Sequence, residues 1–333
     1  LTHFYDQKGI CHVVLPEEGH LKPGALVVGG DSHSPTGGAF GCFMFGVGAT
    51  DMAGVLASGE TWIRVPETIL LRWNGKLRAG VSAKDMALAQ CGALGLDGGD
   101  YQVVQFAGEA ISSLDMSGRM TLCNMAAELG AQTGLIEADD ITFDYLSRVG
   151  GDPGAPLTGD PDATYREVHD FDADTLEPQV AAPHSPANAL PIGDCGKVEI
   201  DQCYIGACTG AKLEDLQMAA RILKGRKVAP SVRLLVAPAS VRSAGIAARD
   251  GTLATLIEAG AILMPSACGA CAGYGAGQLT ENEICLSSTA RNFKGRMGPS
   301  TSQVYLASPY TVAASAVAGE ITDPRMILEG EAA

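Results

Sequence analysis

Apolar, β-rich runs alternate with amphipathic stretches along the whole chain. ALVVGG (25–30), ETILLRW (67–73) and YQVVQF (101–106) predict strands, as does TWIRV (61–65). VGATDMAGVLASGE (47–60) and SAKDMALAQCGAL (82–94) predict helices between them. Farther on, KVEIDQCYIGA (197–207), RLLVAP (233–238), AILMPSA (261–267), EICLSS (283–288) and QVYLAS (303–308) predict strands, interleaved with helices such as LEDLQMAARILKG (213–225). Near-continuous apolar strands separated by helices predict an α/β architecture with mainly parallel sheets.

The pattern dissolves between 149 and 191, where Pro, Gly and Asp crowd a segment with no apolar period. That composition predicts an interdomain linker. It divides the chain into an α/β segment over 1–66, a second α/β domain over 67–190 ending in the linker, and a third over 191–333.

In sheets of this kind ligands gather at loops that follow the C-terminal ends of strands. Three such loops are polar, cysteine-bearing or glycine-rich: GGDSHSPTGG (29–38), IGACTGAK (205–212) and SACGACAGYG (266–275). The last two place Cys208, Cys268 and Cys271 at strand ends where three thiolates could converge. Three thiolates suit a [4Fe-4S] cube with one iron left open, and that iron is a Lewis acid able to take a hydroxyl. A structural zinc with three Cys and one His accounts for the same spacing, and so do buried thiols acting as small hydrophobes. The other seven cysteines, at 11, 42, 91, 123, 195, 203 and 285, are expected in the core.

Three further stretches carry candidate chemistry. Asp31, Ser32 and His33 put an acid beside an imidazole on a glycine-rich turn, with His12 upstream; this is either a general acid–base pair or a helix cap with a surface histidine. Asn124 and Glu128 fall four residues apart, on one side of a predicted helix. There Glu128 is either an exposed carboxylate or a buried one that burial would penalise. Arg291 and Arg296, with Lys294, sit in a loop suited to bidentate carboxylate binding or merely to solvation.

The charge of -15 argues against a nucleic-acid surface, while a few arginines in a cleft still allow a small dicarboxylate. Glycine is abundant, with 42 residues, as expected of a chain whose loops turn tightly against ligands. A long chain with ten cysteines, no signal peptide and no membrane run reads as a cytoplasmic protein with free thiols.

The ordered motifs GDSHS with its following glycines (30–41), TLCNMAAELGA (121–131), YIGACTG (204–210), ACGAC (267–271) and RNFKGRMG (291–298) resemble the aconitase superfamily. Within it they resemble the large subunits of two-subunit 3-isopropylmalate dehydratases and homoaconitases, a group whose relatives include 2,3-dimethylmalate dehydratase. The resemblance covers essentially the whole chain. It implies three-layer α/β domains around an iron–sulfur site, a [4Fe-4S] cluster held by Cys208, Cys268 and Cys271, and a hydro-lyase acting on a hydroxy di- or tricarboxylic acid. It implies proton-transfer roles for His12, Asp31, Ser32, His33 and Glu128, and substrate binding by Asn124, Arg291 and Arg296. A separate small subunit carrying a swivelling domain is implied as partner. A further N-terminal section with another acid–histidine pair is implied too, so that 1–66 is the remainder of an N-terminal domain. Two departures stand out: Ala290 where the family has Asn, and Gly210–Ala211 where it has Asn–Ser. The alternative is a zinc-stabilised or cluster-free protein that binds dicarboxylates or another subunit without activity.

Overall fold

The computed structural model of the protein describes residues 2–155 and 157–329. Its chain gathers into two units, one built from Leu15–Leu77 with Leu94–Thr175, the other from residues up to Val14, Arg78–Ala93 and everything from Leu176 onward.

The first of these carries six strands: β1 (Leu26–Gly29), β2 (Phe43–Gly46), β3 (Thr68–Asn74), β4 (Val103–Ala107), β5 (Thr133–Leu135) and β6 (Glu167–Asp172). β1 and β2 pair in parallel, and the remaining four form a parallel sheet of order β5-β4-β3-β6. Central strand β3 is buried at Ile69, Leu70, Leu71 and Trp73, as expected for a strand covered on both faces. β6 lies inside the segment expected to be a linker. Its alternation is real but its charge hides it: Asp170 meets Arg72 at 3.1 Å, and Phe171 stacks on Trp73 with ring centroids 4.6 Å apart. Charged outward residues are usual on an edge strand. The expected strand over 61–65 does not form; Trp62 and Val65 are 86% and 84% exposed. Pro66 follows directly and brings no N–H to a ladder.

The other unit carries β7 (Gln179–Ala181), β8 (Ala189–Pro191), β9 (Gln202–Ile205), β10 (Arg233–Val236), β11 (Ile262–Leu263), β12 (Ile284–Ser287) and β13 (Gln303–Leu306). They form one sheet of order β11-β10-β9-β12-β13-β7-β8, parallel from β11 through β13 and antiparallel at the β7 and β8 edge. Every residue of β9 is buried. Helix Pro309–Ala318 packs on β9 and on helix Leu213–Leu223. Because the strands run parallel, the loops leaving β9, β10, β11 and β12 emerge at one edge of the sheet.

Helix Ala83–Leu94 is tied to β7 by Asp85. One carboxylate oxygen accepts from the N–H and hydroxyl of Ser82 at 2.8 and 2.9 Å, the other from the Gln179 N–H at 2.9 Å. Burial pushes the Asp85 carboxyl up to about 6, against these donors, which favour the anion. A carboxyl raised on folding contributes most below its unfolded value of 3.8, and that contribution is lost as pH rises through about 6. Thermal unfolding between pH 4 and 7 should therefore show a midpoint that falls with pH in the wild type. Asp85→Asn should unfold earlier throughout while losing that part of the slope; equal slopes would refute the assignment.

Candidate active site

The loop after β9 carries Cys208 and the loop after β11 carries Cys268 and Cys271. Cys208 and Cys271 are buried and Cys268 is half-buried. Cys268 precedes, and Cys271 lies within, a short 3-10 turn over Gly269–Ala272, in which the Cys271 N–H donates to the Cys268 carbonyl at 3.1 Å. The two loops are held to the same sheet edge by Tyr204 of β9, whose hydroxyl donates to the Cys268 carbonyl at 3.4 Å. The Tyr204 phenol is raised, by burial first and then by the Cys271 and Cys268 thiols beside it.

The Cys208 loop is built on Ser288, just past β12. The Gly206 N–H donates to the Ser288 hydroxyl at 3.0 Å, the Ser288 hydroxyl donates to the Gly210 carbonyl at 3.2 Å, and Thr209 donates to the Ser288 carbonyl at 3.0 Å. Between them Ala207 sits at φ 66°, a left-handed conformation unusual for alanine. A Cβ added at Gly210 would collide with the Ser288 side chain. Gly210 is thus the residue this packing demands, and the space an asparagine would need is already filled.

Basic side chains surround these thiols. Lys84, 2% exposed on helix Ala83–Leu94, donates to the Thr289 carbonyl at 2.7 Å and the Thr209 hydroxyl at 3.4 Å. The Arg296 Nε donates to the Cys271 carbonyl at 2.6 Å. Burial pushes the Cys271 thiol up, opposed by the positive charges of Arg296, Lys84 and Arg291. Lys212 donates to the Cys208 carbonyl at 3.1 Å and pairs with Asp215 at 2.7 Å. Arg291 and Arg296 are half-buried, Lys294 is exposed, and Ala290 is buried. His12 is buried on helix Cys11–Glu17. The segment before it is pinned to the loop after β10, with the Ile10 N–H donating to the Ala239 carbonyl at 2.9 Å, and the Ala239 N–H donates to the Ala211 carbonyl at 2.8 Å.

The other unit assembles a separate group. His33, 7% exposed, approaches Glu128, 3% exposed, with Nε2 and Oε1 2.9 Å apart. The His33 N–H donates to the Asp31 carboxylate at 2.8 Å, and the two side chains lie 3.6 Å apart. Asn124 donates to the Thr36 hydroxyl at 2.7 Å, and Thr36 donates to the His33 carbonyl at 2.6 Å. Asp31, His33, Asn124 and Glu128 therefore form one connected set. Asp31 and Ser32 are exposed. The predicted helix is interrupted: it ends at Met125, and Glu128 lies on a 3-10 turn over Ala126–Leu129. That tightened turn is what aims the carboxylate at His33. Upstream on the same helix, Arg119 is buried and grips Asp139 through two 2.6 Å bonds. The pair holds the Asp139 carboxyl below its usual range, although burial alone would raise it.

Lys84, Tyr204 and Ser288 were not singled out by the sequence. A lysine inside the apolar stretch SAKDMALA is the one signal that could have exposed the first of them. Of the seven cysteines expected in the core, five are buried; Cys11 is exposed and Cys195 half-buried. All ten are free.

Residues 1–319 match the model of the aconitase family (aconitate hydratase). The chain belongs to the aconitase family and is a hydro-lyase. It is similar to a 3-isopropylmalate dehydratase large subunit of Methanopyrus kandleri, at 48% identity over 98% of this chain and 79% of the relative. It is 49% identical to a protein of Methanosarcina mazei described as a probable methanogen homoaconitase large subunit, over 98% of this chain and 83% of the other. A 3-isopropylmalate dehydratase large subunit of Moorella thermoacetica is 47% identical over 99% of this chain and 79% of its own length. Among solved structures, Thermococcus kodakaraensis aconitase X in its holo-form shares the fold at 13% identity and a TM-score of 0.50, over 86% of this chain and 67% of that one.

Gly210→Ala should cost about 1–3 kcal/mol, the usual penalty for overpacking a filled site. Chemical denaturation measures it; an unchanged midpoint would show that Ser288 yields without cost.

Proposed function

We propose that the chain is the large subunit of a [4Fe-4S] dehydratase acting on a hydroxy dicarboxylic acid of the 3-isopropylmalate type. Its partner would be a small subunit, as the names of its relatives imply. The carrying observation is the trio of Cys208, Cys268 and Cys271 on loops that leave β9 and β11 at one edge of the same parallel sheet, with three cations acting on Cys271. This donor set fits the cluster: soft thiolates suit iron–sulfur ligation, and the cations offset the negative charge that such a group brings into a buried place. When bound, a cluster with three protein ligands supplies an open iron as a Lewis acid toward a substrate hydroxyl.

The chain's own residues supply the rest. Cys208, Cys268 and Cys271 hold the metal group. Arg291 and Arg296 bind substrate carboxylates, Arg296 with its guanidinium oriented by the Cys271 carbonyl. His33, positioned by Asp31 and Glu128, passes a proton at Nε2. Asn124 fixes the His33 backbone through Thr36; His12 and Ser32 keep the proton-transfer roles that the resemblance implies. Cysteines outside any disulfide agree with a reducing cytoplasm, and none of the described helices is long and apolar enough to cross a membrane. The net charge of -15 speaks against nucleic acid as a ligand.

Anaerobically purified protein should be brown and hold about four irons and four sulfides per chain. Stoichiometric zinc without sulfide would instead favour a structural or binding role. With the small subunit present, hydration of isopropylmaleate, cis-aconitate, cis-homoaconitate, citraconate and dimethylmaleate compared side by side identifies the substrate; isopropylmaleate should be preferred. In that assembly Glu128→Gln should lower kcat by about 10²–10⁴ while leaving iron content unchanged. Loss of iron together with activity would remove Glu128 from proton transfer.

A further inference from the structure

We infer that Tyr204 is a positioning residue of the thiol site, a buried spacer whose ring lies against the start of the Cys208 loop and whose hydroxyl holds the turn that bears Cys268 and Cys271. The inference rests on reading Cys208, Cys268 and Cys271 as cluster ligands, and goes beyond it by assigning the placement of two separate ligand loops to one strand residue.

Tyr204 is 1% exposed within β9. Its backbone is fixed on both sides, opposite Leu235 of β10 and Ser287 of β12. Side chains two positions apart on a strand share a face, and a Cβ built at Gly206 would collide with ring carbons of Tyr204. The chain leading to Cys208 therefore rests directly on the ring. At the far end of that ring the hydroxyl donates to the Cys268 carbonyl at 3.4 Å. Gly269, at φ 51°, passes so close that a Cβ there would stand 3.3 Å from the phenol oxygen. One rigid side chain thus carries the first loop along its ring and the second at its tip.

The hydroxyl marks this contact as more than packing. Phenylalanine would fill nearly the same volume with no polar atom to bury, and a buried hydroxyl is costly unless it is bonded. Here the bond goes to a candidate ligand residue. The Cys268 carbonyl also accepts from the Cys271 N–H at 3.1 Å, and the Cys271 carbonyl accepts from Arg296 Nε at 2.6 Å. The turn is gripped at its first cysteine by Tyr204 and at its second by Arg296. Groups that orient metal ligands in this way commonly change metal affinity by about 10–100-fold when removed.

The test compares Tyr204→Phe, which keeps the ring and removes the hydroxyl, Tyr204→Leu, which removes both, Gly206→Ala, and the Tyr204→Leu and Gly206→Ala pair, all reconstituted anaerobically with iron and sulfide. Bleaching by an iron chelator gives the rate of metal loss, and electron paramagnetic resonance of the reduced proteins gives the signature of the metal group. Bleaching should accelerate about tenfold in Tyr204→Phe and further in Tyr204→Leu, with the paramagnetic spectrum altered in both. Gly206→Ala should accelerate it as well, because the added Cβ displaces the ring. The paired variant should bleach no faster than Tyr204→Leu alone, since both changes strike one contact. A Tyr204→Phe protein with the bleaching rate and spectrum of wild type overturns the inference, as does a pair whose two accelerations multiply. Should the Leu or Ala variants fail to fold, wild type and Tyr204→Phe carry the same decision. A wild-type chain that takes up no iron and sulfide overturns the ligand reading and this inference with it; a loaded wild type indistinguishable from Tyr204→Phe overturns this inference alone.

Discussion

The parallel pairing of β9 with β10 on one side and β12 on the other is the constraint on which the thiol site depends. Strands that run the same way deliver their outgoing loops to one edge, so Cys208, the β11 loop and Arg291 become neighbours although 83 residues separate the first from the last. Antiparallel pairing at either step would send one of those loops to the opposite end. The hydrogen bonds that then fix the loops are few and local. Tyr204, inside β9, reaches the Cys268 carbonyl, and Ser288, leaving β12, occupies the space against which Gly206 and Gly210 close. Backbone strain at Ala207 is tolerable because both sides of it are anchored this way.

Electrostatics works against the global charge. The chain carries 38 acidic residues to 23 basic ones, yet Lys84, Lys212, Arg291 and Arg296 are concentrated on two loops and the helix beside them. A negative surface repels anions at long range, but that repulsion is screened over roughly 8–10 Å at physiological salt. At short range an anion meets the local field, and partly buried guanidinium groups are screened far less than surface ones.

Much of this was legible in the sequence, for identifiable reasons. β9 and β3 read as strands because each carries a compact buried apolar stretch, Cys203–Ile205 and Ile69–Leu71. The thiol loops were legible because Cys268 and Cys271 repeat at metal-binding spacing after an apolar run. β6 was not, since its register with β3 joins residues about a hundred positions apart and its outward face is acidic. The exposed Trp62 and Val65 misled in the opposite direction: an apolar alternation without a pairing partner makes no strand. Asn124 and Glu128 were expected on one face of a single helix, but that helix, which packs on the turn over Ser34–Phe40, ends at Met125 and Glu128 lies on the 3-10 turn after it, a break that no local pattern marks.

The two departures from the family's residues fall under the same logic. An asparagine at position 210 and the Ser288 side chain compete for one volume, so this packing accepts only the residue without a Cβ. Ala290 is fully packed, and its neighbour Thr289 turns its carbonyl to an ammonium. Removing amides from a site normally leaves backbone groups and charge without support. Here the hydroxyl of Ser288 serves the Gly206 N–H and the Gly210 carbonyl, and Lys84 serves Thr209 and Thr289. These hydrogen bonds support the loops around the thiols without an amide at position 210 or 290.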